Sequence, residues 1–246
     1  MVGERVTYGR YVALGDSTTE GLDDPYPGGG YRGWADRLAE RLAAVNPELR
    51  YANLAIRGRK LPRIRAEQLE PAVALEPDLT SVLGGVNDIL RRRVDLDRIA
   101  ADLESMVATL RAAGATVLVV TYPDLTQTIS LAAGRVRTRV AGFNGRVRAI
   151  GVRQGAVVVD LERDDIRHPS LWSTDRLHAS SLGHERIAAV AAAAGRLLGR
   201  RPRRQATRAQ PVRGRDPLGG CRARGGGGVE SPSVARRVLT TSPPPS

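Results

Sequence analysis

The most informative stretch of this chain lies near its amino terminus and reads Tyr11-Val-Ala-Leu-Gly-Asp-Ser-Thr-Thr-Glu-Gly21. The apolar run before Gly15 predicts a buried strand, and the polar residues after it can open a helix. A serine at such a strand end, Ser17, is exposed in the cleft where open α/β sheets bind ligands. Backbone N–H groups there can also meet an anion. Ser17 can equally be a helix cap without chemical function.

Short β-branched runs of this kind recur along the chain, and longer segments with helical spacing lie between them. The predicted strands are Tyr11–Leu14, Tyr51–Leu54, Leu79–Leu83, Thr116–Thr121 and Ala156–Val159. The predicted helices are Trp34–Val45, Ile64–Leu75, Leu96–Ala113, Arg137–Val152 and a last one from about Leu182 to Leu198. Alternating apolar strands and helices favour a parallel sheet that helices cover on both faces.

A second motif stands near the end of this pattern and reads Trp172-Ser-Thr-Asp-Arg-Leu-His178. A serine hydroxyl is a weak nucleophile that needs a general base, and the base needs an acceptor on its other nitrogen. Asp175 precedes His178 by three residues, so one short loop can carry both groups. Asp175 would then bind the Nδ1 proton while Nε2 faces Ser17. An Asp-x-x-His string also occurs often without any such role.

Two more motifs follow predicted strands: Leu83-Gly-Gly-Val-Asn-Asp-Ile89 and Asn53-Leu-Ala-Ile-Arg-Gly58. The amide of Asn87 can reach the same cleft, although an Asx-turn that braces the loop is the alternative. Asp88 is interpreted as bracing the loop. Gly58 allows a backbone geometry that turns an N–H toward a bound oxyanion, although a glycine after a strand is usually only a turn.

In combination these motifs resemble the SGNH (GDSL-type) hydrolases, and closely their small single-domain bacterial esterases, over roughly residues 9–199. The specific part is Gly15-Asp-Ser-Thr-Thr-Glu-Gly21 together with Gly85-Val-Asn-Asp88. The resemblance implies a three-layer α/β/α fold with a flavodoxin-like, five-stranded parallel sheet. The chain departs from the common pattern at Thr18, where GDSL has leucine, and at Ala179, where many members have proline.

The same resemblance implies the roles of the site residues. Ser17 would be the nucleophile, His178 the base and Asp175 its partner. The oxyanion hole would consist of the Ser17 and Gly58 backbone N–H groups and the Asn87 side chain. The implied activity is hydrolysis of carboxylic esters, with short acyl or acetyl groups favoured because the sequence contains few aromatic residues and no long apolar insertion. Lysophospholipase or thioesterase activity on the same fold, and a catalytically silent scaffold, are the alternatives.

The carboxyl-terminal segment differs in composition from the rest of the chain. We predict a hydrolase domain over residues 1–199 and a disordered tail over residues 200–246, because the tail is rich in Arg, Gly and Pro and has no hydrophobic period. Eleven of its residues are arginines, so the tail contributes most of the net charge of +12. An alternative function is therefore non-specific binding of an anionic polymer through the tail, but no aromatic residue there offers a base-stacking surface.

Several other signals are given structural interpretations. The G-x-G-x-x-G match at 28–33 follows no strand and is interpreted as a loop at the rim of the cleft. His168 and His184 are interpreted as structural. Arg91-Arg-Arg93 is a solvated segment or a rim that attracts anionic substrates. With three histidines and one cysteine in the chain, no metal or other cofactor is expected.

The remaining features bear on location and partners. The single cysteine, Cys221, excludes an intramolecular disulfide. The first residues lack the apolar region of a secretory signal, and no apolar run approaches the length of a transmembrane helix, so a cytoplasmic protein is expected. A small ester is the expected partner, and no specific nucleic acid is expected. No feature indicates an oligomeric state.

Overall fold

The structure is a computed structural model that describes residues 7–123, 133–162, 166–197 and 237–239. Its sheet contains six strands, in the order β5-β4-β3-β1-β2-β6. The strands are β1 (Arg10–Gly15), β2 (Arg50–Asn53), β3 (Leu79–Leu83), β4 (Thr116–Val120), β5 (Val157–Val159) and β6 (Arg237–Leu239). Strands β1 to β5 are parallel, which confirms the flavodoxin-like five-stranded sheet predicted from the sequence.

Two layers of helices enclose this sheet. The helices are α1 (Ser17–Glu20), α2 (Gly33–Ala43), α3 (Leu61–Ala74), α4 (Val86–Ile89), α5 (Leu96–Ala112), α6 (Ala133–Gln154) and α7 (Ser181–Leu197). Helix α2 packs on α7 in one layer, whereas α5 packs on both α3 and α6 in the other. The three-layer α/β/α architecture is therefore confirmed. No helix within the described residues is both long and apolar enough to cross a bilayer.

The central strands and the longer helices form because each buries an apolar surface. All five residues of β3 are buried, as are all residues of β1 after Arg10. Helix α5 buries one stripe at helical spacing, which includes Ile99, Leu103, Met106 and Leu110. Its first turn is capped by the carboxylate of Asp95, which accepts hydrogen bonds from two backbone N–H groups.

The sixth strand lies in the carboxyl-terminal tail. Strand β6 pairs antiparallel with β2 at the edge of the sheet, with Ala52 opposite Val238. The sequence contains no period that predicts this strand, so the sheet has one strand more than expected. The rest of the predicted disordered tail, residues 200–246, lies outside the described residues. The boundary at residue 199 stays a prediction.

The strand order determines where a ligand can bind. The chain leaves β1 to one side to form β2 and returns to the other side to form β3. In sheets of this order the crevice lies beyond the carboxyl ends of the two strands that flank this switch point. Gly15 ends β1 and Leu83 ends β3, and these two residues are paired neighbours in the sheet. The segments that follow Gly15 and Leu83 therefore open on the same crevice.

Candidate active site

The turn that carries Ser17 is held by contacts around Gly15. A Cβ at Gly15 would stand 2.4 Å from the carbonyl oxygen of Leu83, so only glycine fits there. The side-chain amide of Gln68, from α3, accepts a hydrogen bond from the Gly15 N–H and donates one to the Gly15 carbonyl, both at 2.9 Å. Asp16 then caps α1 by accepting from the Thr18 N–H. These contacts present Ser17 at the start of the helix, where only 7% of its surface is exposed.

The second segment of the site is the tight loop from Trp172 to Ala179. These two end residues form an antiparallel bridge, and the Ser173 N–H donates to the carbonyl of His178. The loop turns at Arg176, whose φ of 55° lies in the left-handed region. This closed geometry brings Asp175 and His178 to the same side, as the spacing of the two residues predicts.

The structure brings the three predicted catalytic residues into one chain of hydrogen bonds. His178 Nε2 lies 2.9 Å from Ser17 Oγ, and His178 Nδ1 lies 2.6 Å from Asp175 Oδ2. Because the carboxylate accepts the proton on Nδ1, Nε2 is left to accept the Ser17 proton. The bond joins residues 161 positions apart in the chain. This geometry is the one that general-base activation of a serine requires.

The carboxylate of Asp175 is held in its charged form. Burial acts to raise the pKa of Asp175, but hydrogen bonds outweigh it and keep the pKa below its usual value. The donors are the Ser173 hydroxyl, the backbone N–H groups of His178 and Leu177, and the His178 ring. Asp175 is therefore ionised throughout the neutral range and accepts the Nδ1 hydrogen of His178.

The predicted oxyanion donor Asn87 lies on α4, directly after β3. Its amide nitrogen donates to Asp16 Oδ2 at 3.2 Å and to the carbonyl oxygen of Arg59 at 3.0 Å. The amide is therefore adjacent to the residue that precedes Ser17, and it also holds the loop that carries Gly58. Asp88 braces the same loop, as predicted from the sequence, because its carboxylate accepts from the Leu61 N–H at 3.0 Å.

The loop between β2 and α3 carries Gly58, the remaining predicted oxyanion donor. Gly58 has a φ of +73°, and the space beside its Cα is open. The loop is tied to α1: Asn53 donates to the Thr19 carbonyl, and Glu20 accepts from both the backbone N–H and the guanidinium of Arg57. Within the described residues, no hydrogen bond takes up the N–H of Gly58 or of Ser17. The two N–H groups thus stay open to a ligand, and the oxyanion role of these residues stays a prediction.

Asp16 is a fully buried carboxyl beside Ser17, the predicted nucleophile. Burial raises the pKa of Asp16 to about 7; the bond from the Thr18 N–H opposes the increase and the charge of Asp88 adds to it. The pKa of Asp88 is itself raised, mainly by burial. Asp16 therefore changes charge near neutral pH, although it is not a member of the predicted triad.

We expect Asp16→Asn to stabilise the chain at alkaline pH but not at pH 4. An acid with a raised folded-state pKa binds its proton more tightly in the folded chain, so stability falls as the pH rises between the unfolded and folded values, here about 4 to 7. A difference of about three pKa units between the folded and unfolded chains limits this loss of folding free energy to about 4 kcal/mol. Asparagine keeps the helix cap through its one side-chain oxygen and has no charge to bury, but its amide nitrogen replaces the oxygen that accepts from Asn87. Urea unfolding of the natural chain and the variant at pH 4 and pH 8 measures the two free energies of unfolding. A difference between these free energies that is the same at both pH values would contradict the prediction.

The sequence did not predict the roles of Gln68 and Ser173. Gln68 stands with Ile64 and Ala72 on the buried stripe of α3, so a polar residue in an apolar stripe was the available signal. Its partner, Gly15, is 53 residues away, and no local pattern identifies such a contact. Ser173 donates to Asp175 Oδ1 at 2.6 Å and thereby supports the residue that orients His178.

The two other histidines have structural roles, as predicted. His184 is fully buried; its Nδ1 accepts from the Trp34 N–H, and its Nε2 donates to the Leu22 carbonyl. Burial is the main cause of its lowered pKa, so the ring stays neutral in this position. His168 accepts from the Ser170 N–H and caps the 3-10 turn Pro169–Leu171.

The glycine-rich loop and the arginine run lie at the periphery. Gly28, Gly29 and Gly30 are exposed, and the loop closes through a bridge between Pro25 and Tyr31, so no strand leads into it. Residues 91–93 are exposed, and the guanidinium of Arg139 donates to the carbonyls of Arg91 and Arg92. The exposure of residues 91–93 agrees with their interpretation as a solvated segment, whereas the place of the glycine-rich loop at the rim of the cleft stays a prediction.

One group of potential metal ligands occurs within the described residues. The carboxylates of Asp23 and Asp175 and the ring of His178 have ligand atoms within 4.8 Å of one another. Asp175 and His178 already make the hydrogen bonds of the chain that ends at Ser17, and a cation would replace those bonds. The group is therefore part of the same site, and Asp23 adds a second negative charge beside the imidazole.

The order of the sheet, the two helical layers and the position of the site at the switch point are those of the SGNH hydrolase fold. The chain belongs to the GDSL-like lipase/acylhydrolase family, whose sequence model matches residues 13–186. This finding confirms the resemblance drawn from the motifs. No curated protein matches the chain.

Solved structures share the fold at low sequence identity. LAE5, an α/β hydrolase from the metagenome of Lake Arreo, is 23% identical with a TM-score of 0.64, over 77% of this chain and 95% of its own. TesA is 21% identical with a TM-score of 0.65, and the match covers 77% of this chain and 99% of TesA. A catalytic mutant of Axe2, an acetylxylan esterase from Geobacillus stearothermophilus, is 21% identical with a TM-score of 0.64. The match covers 78% of this chain and 96% of Axe2.

Proposed function

We propose that this protein hydrolyses carboxylic esters with short acyl groups by an acyl-enzyme mechanism. The observation that carries the proposal is the contact of 2.9 Å between His178 Nε2 and Ser17 Oγ, with Asp175 bound to the other ring nitrogen. Family membership supports a hydrolase of the esterase and lipase type. Ser17 is the nucleophile, His178 the general base and Asp175 the residue that orients the base.

In the acylation step, Ser17 Oγ attacks the ester carbonyl carbon as its proton moves to His178 Nε2. The new C–O bond leaves a negative charge on the carbonyl oxygen, which the N–H groups of Ser17 and Gly58 and the amide of Asn87 bind. Each donor of this kind contributes about 3–4 kcal/mol in the transition state. The bond to the leaving alcohol then breaks, and His178 gives its proton to that oxygen. Water repeats both transfers and releases the acid, which restores Ser17.

The preference for short acyl groups rests on the sequence and on the shared fold. No long apolar insertion that could cover a fatty acyl chain occurs in the sequence. The fold is shared with an acetylxylan esterase, and acetyl esters are therefore the first substrates to consider. Lysophospholipid or thioester hydrolysis would use the same three residues, with other groups selecting the substrate. The predicted cytoplasmic location and the absence of a cofactor stay predictions.

We expect the purified full chain to hydrolyse p-nitrophenyl acetate with saturable kinetics and to be labelled by a fluorophosphonate at Ser17. The probe reacts only with an activated serine, so labelling separates an enzyme from a silent scaffold with the same fold. Peptide mapping of the adduct identifies the residue. A chain that binds heparin but neither turns over the ester nor reacts with the probe would favour the alternative function, anionic-polymer binding through the basic tail.

A further inference from the structure

A small enclosed cavity adjoins the candidate site. Three of its lining residues are sequence neighbours of the proposed catalytic groups: Thr18 directly follows the nucleophile, Val86 precedes the amide donor, and Leu177 precedes the general base. These residues come from three separate segments that meet only at the crevice. A cavity that all three border therefore lies beside the position where the ester carbonyl would react.

The most deeply buried part of the cavity lining is apolar. It consists of Leu83 at the end of β3, Leu161 after β5 and Ile187 on α7, each at most 2% exposed. Tyr122 and Trp172 also line the cavity. Their polar ends are engaged elsewhere: the Tyr122 hydroxyl accepts from the Val86 N–H, and the Trp172 indole N–H donates to the Ile166 carbonyl. The rings thus present carbon to the cavity, which suits a hydrocarbon group.

The volume of the cavity is about 20 Å³. A space of about 10–15 Å³ is the minimum that holds one water molecule, and a methyl group is of similar size. The cavity therefore accommodates one methyl group, but a longer chain would have to displace the packed side chains that line it. Such displacement is costly because protein interiors are close-packed.

We propose that this cavity is the acyl pocket and that Leu161 and Ile187 limit the acyl group to two carbons, which makes the enzyme selective for acetyl esters. This inference rests on the proposed function, because it requires the ester carbonyl to sit at Ser17. The methyl of the acetyl group fills the cavity while the alcohol portion points to solvent. Leu161 and Ile187 are specificity-determining residues that take no part in proton transfer.

The test measures kcat/KM for p-nitrophenyl acetate, propionate, butyrate and hexanoate. In the natural chain we expect a decrease of about tenfold or more for each methylene that the pocket excludes. Leu161→Ala lengthens the cavity, so the butyrate-to-acetate ratio should rise by about tenfold or more. Ile187→Val removes one methyl group from the same lining and should raise the propionate-to-acetate ratio with little risk to folding.

Leu103→Ala is the matched control, because Leu103 is as buried as Leu161 but lies on α5 away from the cavity. The Leu103→Ala chain should lose about as much free energy of unfolding as Leu161→Ala and keep the natural ratios of kcat/KM between the esters. Unchanged ratios in both cavity variants, with acetate still hydrolysed, would overturn the acyl pocket alone. Equal values of kcat/KM for the acetate and the hexanoate ester in the natural chain would also overturn the acyl pocket. A natural chain without any ester turnover or probe labelling would contradict the proposed function, and the acyl pocket with it.

Discussion

Ser17→Ala is expected to lower kcat for p-nitrophenyl acetate by about a millionfold while the chain keeps its fold. The change removes the only atom that forms the covalent acyl intermediate. It removes little else, because Asp16 rather than Ser17 caps the helix and the Gly15 clamp by Gln68 is unaffected. The lost hydrogen bond to His178 is partly exposed, so the free energy of unfolding should change by about 1 kcal/mol or less.

Two measurements separate the chemical effect from a structural one. Ester turnover is followed at saturating substrate, and urea unfolding is followed by circular dichroism in the same buffer. Ser105→Ala, on α5, is the control for serine removal outside the site and should keep the natural rate. If the Ser17 variant hydrolysed the ester at the natural rate, a different nucleophile would be responsible and the proposed mechanism would be wrong.

Most of the fold could be predicted from the sequence because its central strands, β1, β3 and β4, are buried on both faces. Strand β3 was predicted with its observed bounds, Leu79–Leu83, since every residue in it is apolar or small and all are buried. Helix α4 was missed because four residues are too few to show a helical period. Strand β6 was missed because its pairing with β2 depends on an edge that lies almost two hundred residues earlier in the chain.

The candidate site could be predicted where chemistry restricts the choice of residue. A general base and the acid that orients it must lie close together, either within one loop or across the fold. The three-residue spacing of Asp175 and His178 already indicated that one loop carries both. The supporting contacts could not be predicted in this way. The clamp by Gln68 and the burial of Asp16 depend on which side chains meet in three dimensions, and several residue types could occupy either position.

The environment of Asn87 suggests how the proposed oxyanion hole would operate. In the structure its two amide hydrogens have the acceptors Asp16 Oδ2 and the Arg59 carbonyl. A primary amide carries two hydrogens, so an oxyanion bound by Asn87 has to share or replace one of these acceptors. The Asp16 contact, at 3.2 Å, is the longer of the two. Protonated Asp16 is a poorer acceptor than the carboxylate, and its raised pKa therefore favours release of the Asn87 hydrogen to the substrate.

Asp175→Asn is expected to lower kcat by about ten-thousandfold without loss of the fold. Asp175 Oδ1 accepts from the Ser173 hydroxyl and two backbone N–H groups, so the amide oxygen of asparagine will occupy this position. The amide nitrogen then faces His178 Nδ1 and donates to it. Nδ1 must lose its hydrogen, the proton moves to Nε2, and Nε2 can no longer accept the proton of Ser17.

Asp23→Asn is the matched control for this change, because Asp23 has the same charge and its carboxylate lies within 4.8 Å of the Asp175 and His178 ligand atoms. Asparagine also tolerates the φ of 69° at this position. A purely electrostatic contribution at this distance is worth about 1 kcal/mol in water, so the control should lose at most about fivefold in kcat. Equal losses in the two variants would show that negative charge near the imidazole, rather than selection of its tautomer, is what Asp175 supplies.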